Sequence, residues 1–367
     1  MAESEKQPVD TQARFRRRVL FVLFATALTI IGAVLALYAF DVFLLVFIAI
    51  LIAVFLRGTG DQISSRTPIP PRVALVLVTV AVIVIGVLLV LFLGPSLANQ
   101  MDQLIDQIPQ SISDLESAVR QYEWGEQMLD SVELPDDFGN LLTLGNLNVL
   151  GRVTNLFTAT AGVLTTIVLI LFVGFYLAFE PSYYIQGFVA LFPLEQRPRI
   201  SEVLKAIGTA LQLWLVARFL SMIVVAVLTL IGLLILNVPI ALTLAIIAGV
   251  LSFVPNIGPL LAIIPATLVG LTQSPILAVS VIALYFGVQA VESYLITPYF
   301  ERRTVHLPPA LTMSTQVALG IVVGQLGLVL AAPLLVVAIL VVKMLYVGDI
   351  LHDPDVQVDA SESGSAI

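Results

Sequence analysis

The 367-residue chain contains no cysteine, which excludes disulfides, thiolate metal sites and a cysteine nucleophile while leaving the compartment of its soluble parts undetermined. Histidine is almost as scarce. The two present, His306 in a loop and His352 in the tail, supply neither a histidine metal cluster nor a histidine-based triad within a membrane. No Gly-x-x-x-x-Gly-Lys-Ser/Thr run occurs, so direct nucleotide drive is not indicated. Charge is sparse at 11%, against 59% hydrophobic residues and a mean hydropathy of +1.04. That is more apolar side chain than a soluble core of this size hides, so the chain reads as a polytopic all-α membrane protein. Its net charge of -8 and density of spans argue against nucleic acid as a partner.

The distribution of charge says more than its sum. Arg14, Arg16, Arg17 and Arg18 precede the first apolar run, Val19 to Leu56, which lacks a convincing cleavage site and reads as an uncleaved anchor. A helix needs about 20 apolar residues to cross a hydrocarbon core of roughly 30 Å, so this run is a hairpin, with Asp41 in its exterior turn. Arg57, Arg66 and Arg72 then return the chain to the cytoplasmic side by the positive-inside rule. Residues 1–18 are thus a basic cytoplasmic N-terminus, and 19–93 hold the first three transmembrane helices. Residues 94–152 form an exterior acidic region in which Arg120 faces ten acids, from Asp102 to Asp137. There Leu97, Met101, Leu104, Ile105, Ile108, Ile112, Leu115 and Val119 recur at amphipathic-helix spacing.

Residues 153–347 form the expected transport core, with spans at Val153–Phe179, Leu211–Leu236 and Ile276–Thr297 and a final hairpin over Ala310–Val347. Residues 348–367 read as a disordered cytoplasmic tail. The sum is about eight transmembrane helices. Between two of them, Ile240 to Leu271 is free of charge yet interrupted by Pro255, Gly258, Pro259 and Pro265. Proline removes an amide donor and clashes with the preceding turn, so the helix breaks inside the membrane. Such backbone is tolerated there only when buried in protein or lining a wet cavity. A re-entrant hairpin over 240–271 places Glu301, Arg302 and Arg303 in the cytoplasm, whereas a single crossing puts them outside. A full double crossing has the same parity, and the hairpin is preferred because each half is short.

Ionisable groups within spans are functional candidates by default. Glu292 reads either as a coupling-ion or proton site, or as an interface carboxylate paired with Arg218. Arg218 itself snorkels, pairs or contacts substrate. Asn256, inside the break, either meets substrate or ion or caps the second half-helix. Gly258 admits close backbone approach or merely permits the turn. Gln316 and Gln325 stand out as polar in an apolar context.

Taken in order, Phe175–Pro181 (FYLAFEP), Phe253–Pro265 (FVPNIGPLLAIIP), Gln289–Phe300 (QAVESYLITPYF) and His306–Ala338 resemble the autoinducer-2 exporter family, or PerM-like permeases, from about Val19 to Tyr346. The resemblance implies an inner-membrane permease of about eight helices, members of which are assigned to export of a furanone quorum signal or to sodium-proton exchange. Pro255, Gly258, Pro259, Gln289, Glu292 and Pro298 match the family pattern; Arg57-Gly58-Thr59 and Ser293 depart from it. The expectation is a secondary transporter, not an enzyme, with both termini cytoplasmic. It needs no cofactor or metal. Its substrate or ion site comprises Pro255, Asn256, Gly258, Pro259, Gln289 and Glu292, with Arg218 as charge partner. Its partners are the lipid bilayer and a small molecule or ion, with a homo-oligomer left open. The rivals are a sodium-proton antiporter, a passive channel, and a non-transporting scaffold that recruits partners through its exterior helices.

Overall fold

A computed structural model describes residues 40, 42–92, 160–296 and 307–351. The basic N-terminus, the first half of the opening hairpin, the exterior region 94–152, Pro298, the Glu301–Arg303 cluster and most of the tail lie outside the described residues. Two compact units are distinguished, Met1–Ile48 and Ala49–Ile367. In the first, Phe43 and Phe47 stack with ring centroids 6.4 Å apart. Apart from the start of the helix Val42–Arg66, everything below concerns the second.

Among the described residues every regular element is a helix, as expected where backbone groups in lipid must satisfy one another within a segment. The elements are α1 (Val42–Arg66), α2 (Pro71–Phe92), α3 (Thr160–Phe179), α4 (Pro181–Val189) and α5 (Arg197–Ile235). They continue with α6 (Ala241–Leu251), α7 (Ile257–Leu271), α8 (Pro275–Val291), α9 (Pro309–Val323) and α10 (Gln325–Val341). Helix α8 runs into a π-helical turn, Glu292–Ile296, and α10 into another, Val342–Ile350. Helices α1, α2, α5, α8 and α10, the last two with their π turns, are long and apolar enough to cross a membrane. Helices α3 and α4, bent by 84° at Glu180–Pro181, make a sixth candidate. The protein is an all-α, multi-pass membrane protein.

Helix ends do not coincide with the ends of the apolar runs. Helix α1 continues past Leu56 to Arg66, where Arg57 Nε donates to Asp61 Oδ2 at 3.0 Å one turn on. Helix α5 begins at Arg197, well before the apolar stretch at Leu211, and runs unbroken for 39 residues. Hydropathy marks where a helix meets the membrane; i,i+4 pairing lets it continue into water. The stretch after Glu180, between the apolar runs Val153–Phe179 and Leu211–Leu236, forms α4. Arg197 completes the carbonyls at its end by donating to Ala190 O and Phe192 O, each at 3.0 Å.

The last apolar run, Ala310–Val347, is split at Gly324. Gly324 takes φ +75° and turns α9 back on α10. The α10 end is then fixed beside the start of α5, because Arg199 Nε donates to Asp349 Oδ2 at 3.0 Å and its Nη2 to Met344 O at 3.1 Å.

Helices α5 and α8 run antiparallel. Ser221 bonds Glu292 near one end, and a Cβ at Gly232 would meet the Leu284 side chain toward the other. Helix α6 starts at the Ile235 end of α5, and Gly270 at the far end of α7 returns against Ala278 of α8. The chain therefore goes in and comes back to the same end. At 11 and 15 residues, α6 and α7 are about 16 and 22 Å long, less than the roughly 30 Å of a bilayer core. Val225 and Leu233 of α5, Leu244 and Ala248 of α6, Ala262 and Ala266 of α7 and Val281 and Val288 of α8 form one buried cluster. Lipid is as apolar as these side chains, so close packing and small residues, not expulsion from water, hold them together. A second cluster joins Ala53 and Leu56 of α1, Leu75 and Val78 of α2 and Ala178 of α3.

Candidate functional site at the broken helix

Helix α6 ends by tightening. Phe253 N donates to Val250 O and Val254 N to Leu251 O, both three residues back, before Pro255 removes the next donor. Asn256 then takes φ 65°, ψ -47°, and α7 begins. The closeness of the two arms follows from Gly258, where an added Cβ would lie 1.8 Å from Leu251 O. No side chain fits between them.

The break frees backbone carbonyls, and two of them find partners on other helices. Phe253 O accepts from Arg218 Nε of α5 at 3.0 Å. Pro255 O accepts from Ile257 N at 2.7 Å and from Gln316 Nε2 of α9 at 3.0 Å. Gln316 is fully buried, at 0% exposure. Trp214 and Phe253 meet edge to face with ring centroids 5.9 Å apart, and the Phe219 ring centroid lies 6.3 Å from that of Phe253.

Glu292 opens the π turn that ends α8, a geometry often found where a helix is interrupted for function. Its side chain is 4% exposed. Oε1 accepts from Ser221 Oγ at 2.7 Å and from Arg218 Nη1 at 3.2 Å. One guanidinium thus bridges the carboxylate of α8 and a carbonyl of the break. Three further polar atoms here, Arg218 Nη2, Glu292 Oε2 and Gln316 Oε1, are buried without a hydrogen-bond partner. They offer one donor and two acceptors to an incoming group.

Of the residues marked in the sequence, Arg218, Pro255 and Glu292 come together through these bonds, while Asn256, Gly258 and Pro259 shape the turn beside them. Asn256 makes no side-chain cap bond to α7. Gln289 is turned elsewhere, donating to Ser293 Oγ at 3.2 Å on an exposed face. Ser221 and the Phe253 carbonyl were not legible as site groups. Ser221 follows Arg218 by three residues, hence on the same face of α5, which is the signal that could have found it. Gln316 carried its signal as a lone amide in an apolar run. Among the described residues no three histidine, aspartate or glutamate side chains gather as metal ligands would.

Residues 20–346 match the family described as "AI-2E family transporter". The "Putative transport protein BpOF4_00890" of Alkalihalophilus pseudofirmus is 24% identical over 342 residues, 90% of this chain and 88% of that one. The "Putative transport protein YueF" of Bacillus subtilis is 25% identical over 249 residues, 65% and 67% of the two chains. The "Putative transport protein MT0215" of Mycobacterium tuberculosis is 28% identical over 304 residues, 78% of each.

Proposed function

The chain belongs to the AI-2E transporter family, and from that premise we propose that it is a secondary transporter of the cytoplasmic membrane, moving a small solute or ion past the break with Glu292 as coupling group. One observation carries this reading: Glu292 holds Arg218, and Arg218 holds the Phe253 carbonyl. Neutralising the carboxylate, by a proton or a bound cation, leaves a buried guanidinium without its counter-charge. Such a loss costs about 3–5 kcal/mol. Arg218 relieves it by turning to another acceptor, the solute included, and thereby lets go of Phe253. The charge state of Glu292 becomes a position of the break.

Pro255, Asn256, Gly258 and Pro259 form one wall of the proposed site and Glu292 the other, with Gln289 one turn before it. The α6–α7 and α9–α10 hairpins are the moving parts of alternating access, and the Gln316 bond to Pro255 O joins them. Basic flanks favour cytoplasmic termini.

Flux into proteoliposomes under imposed proton and sodium gradients tests this, with a furanone signal and simple monovalent cations as solutes. Wild-type flux of the accepted solute steepens with the coupling gradient. Glu292→Gln keeps the fold and loses that dependence; a variant with wild-type rate and unchanged pH dependence removes the coupling role.

A further inference from the structure

Three buried hydroxyls without a hydrogen-bond partner, on Thr229, Thr267 and Tyr285, have no part in the site described above, and two of them lie on the paired helices α5 and α8. Thr229 is 0% and Tyr285 6% exposed, and neither Thr229 Oγ1 nor Tyr285 OH has a hydrogen-bond partner. A buried hydroxyl left bare in an apolar cluster costs free energy, and such groups call for a reason. Their placement suggests one. Ser221, Val225, Thr229 and Leu233 are the buried face of α5, four residues apart. Val281, Tyr285 and Val288 are the buried face of α8, which leads directly to Glu292.

The antiparallel register puts Thr229 and Tyr285 on the same stretch of the α5–α8 seam. It is pinned by the Ser221–Glu292 bond and by the approach of Gly232 to Leu284. Thr229 lies between Ser221 and Gly232, and Tyr285 between Leu284 and Glu292, so both fall between those two contacts. Tyr285 is ten residues, about 15 Å, from the Pro275 end of α8 and seven residues, about 10 Å, from Glu292. The pair thus stands between the α5–α6 turn and the carboxylate, with Tyr285 the nearer to Glu292.

We propose that Thr229 and Tyr285 are the relay by which a proton from the Asn237 end of the molecule reaches Glu292 along the α5–α8 seam. The inference rests on the coupling role given to Glu292 above. Each hydroxyl is both donor and acceptor. A proton arriving on its oxygen from one water is balanced by release of the oxygen's own proton to the next water, so neither residue changes charge. Water entering the seam during opening fills the remaining distance to Glu292 Oε2, the carboxylate oxygen without a partner. Competing charge is limited. Arg218 is the ionisable side chain bonded to Glu292. Helices α6 and α7, which share one buried cluster with Tyr285 of α8 and with Val225 and Leu233 of α5, contain no ionisable side chain.

The test uses sealed proteoliposomes of full-length protein with a C-terminal affinity tag, sorted by whether the tag is outside or inside. Because Asp349 sits beside Arg199, at the opposite end of α5 from Asn237, vesicles with the tag inside present the Asn237 end to the outer solution. A proton-concentration jump is applied outside, and the infrared band of the Glu292 carboxyl, assigned by its loss in Glu292→Gln, is followed in time. Thr229→Val with Tyr285→Phe removes the hydroxyls and keeps the packing volume. In tag-inside vesicles the double variant is expected to protonate Glu292 about a hundredfold more slowly than wild type, the low end of what a positioned proton-transfer group contributes. The final band amplitude is expected to be unchanged, and tag-outside vesicles to respond at the wild-type rate. Equal rates for variant and wild type in tag-inside vesicles overturn the relay and leave the coupling role standing. Slowing from both sides marks a packing defect and also overturns it. A wild-type protein with no titrating Glu292 band loses the coupling role and the relay together.

Discussion

Arg218 satisfies two unlike acceptors at once, a carboxylate on α8 and a carbonyl at the break. It reaches them from two separate nitrogens, Nε and Nη1, a span that the single nitrogen of lysine does not offer, so lysine is not an equivalent there. Stability and function separate under double substitution. Arg218→Met alone leaves Glu292 buried and unpaired and is expected to lower stability by about 3–5 kcal/mol. Arg218→Met with Glu292→Leu, which removes both charges, recovers most of that loss in a thermal or denaturant melt and still fails to transport. A double variant as unstable as the single one argues against the pair as the source of the loss. The two charges were legible because charge in an apolar run is conspicuous. The partners that complete the site were not. Ser221 is an ordinary hydroxyl in the sequence, and the carbonyl of Phe253 belongs to a residue whose side chain carries no polar signal. Gln316 lies 61 positions from Pro255, so its amide could be seen as unusual but not assigned to a place.

At the scale of elements, proline and glycine located the break, since both act through the backbone of their own neighbourhood. Helix length was less legible. Continuation of α5 to Arg197 and of α1 to Arg66 depends on side-chain pairing in water, which hydropathy does not report. The π turn at Glu292 has no signal of its own in the sequence. The pairing of α6 with α7 gives the sharpest test. In Gly258→Ala the new methyl would stand 1.8 Å from Leu251 O, a backbone atom that no rotamer change can move. The arms must part at the turn that Arg218 and Gln316 hold. The expected result is a protein that still inserts and melts cooperatively, but with transport reduced about tenfold or more, as small misplacements of site groups produce. Wild-type flux from Gly258→Ala would show that the arms separate freely and that the break is not a tight part of the site.

For the molecule as a whole, the Arg199 cluster decides which ends lie together. It binds Asp349, Glu202 and the Met344 carbonyl, so the last described turn is tied to the first turn of the longest helix. No sequence rule pairs positions 150 apart. Exposed pairs contribute little, about 0–1 kcal/mol, and their effect is local. Asp349→Ala is expected to leave the melt almost unchanged while amide exchange across Val342–Ile350 quickens and loses its dependence on salt. A melt lowered well beyond that range would mean that the cluster supports the core rather than the end of α10. The contact of Trp214 with Phe253 has a practical consequence. The chain has two tryptophans, Trp124 and Trp214, so replacing Trp124 leaves a single indole whose nearest aromatic neighbour in the break is the residue held by Arg218. Its emission then serves as an optical gauge of the break, readable on a titration of protons, cations or candidate solutes before any of them is known to be carried.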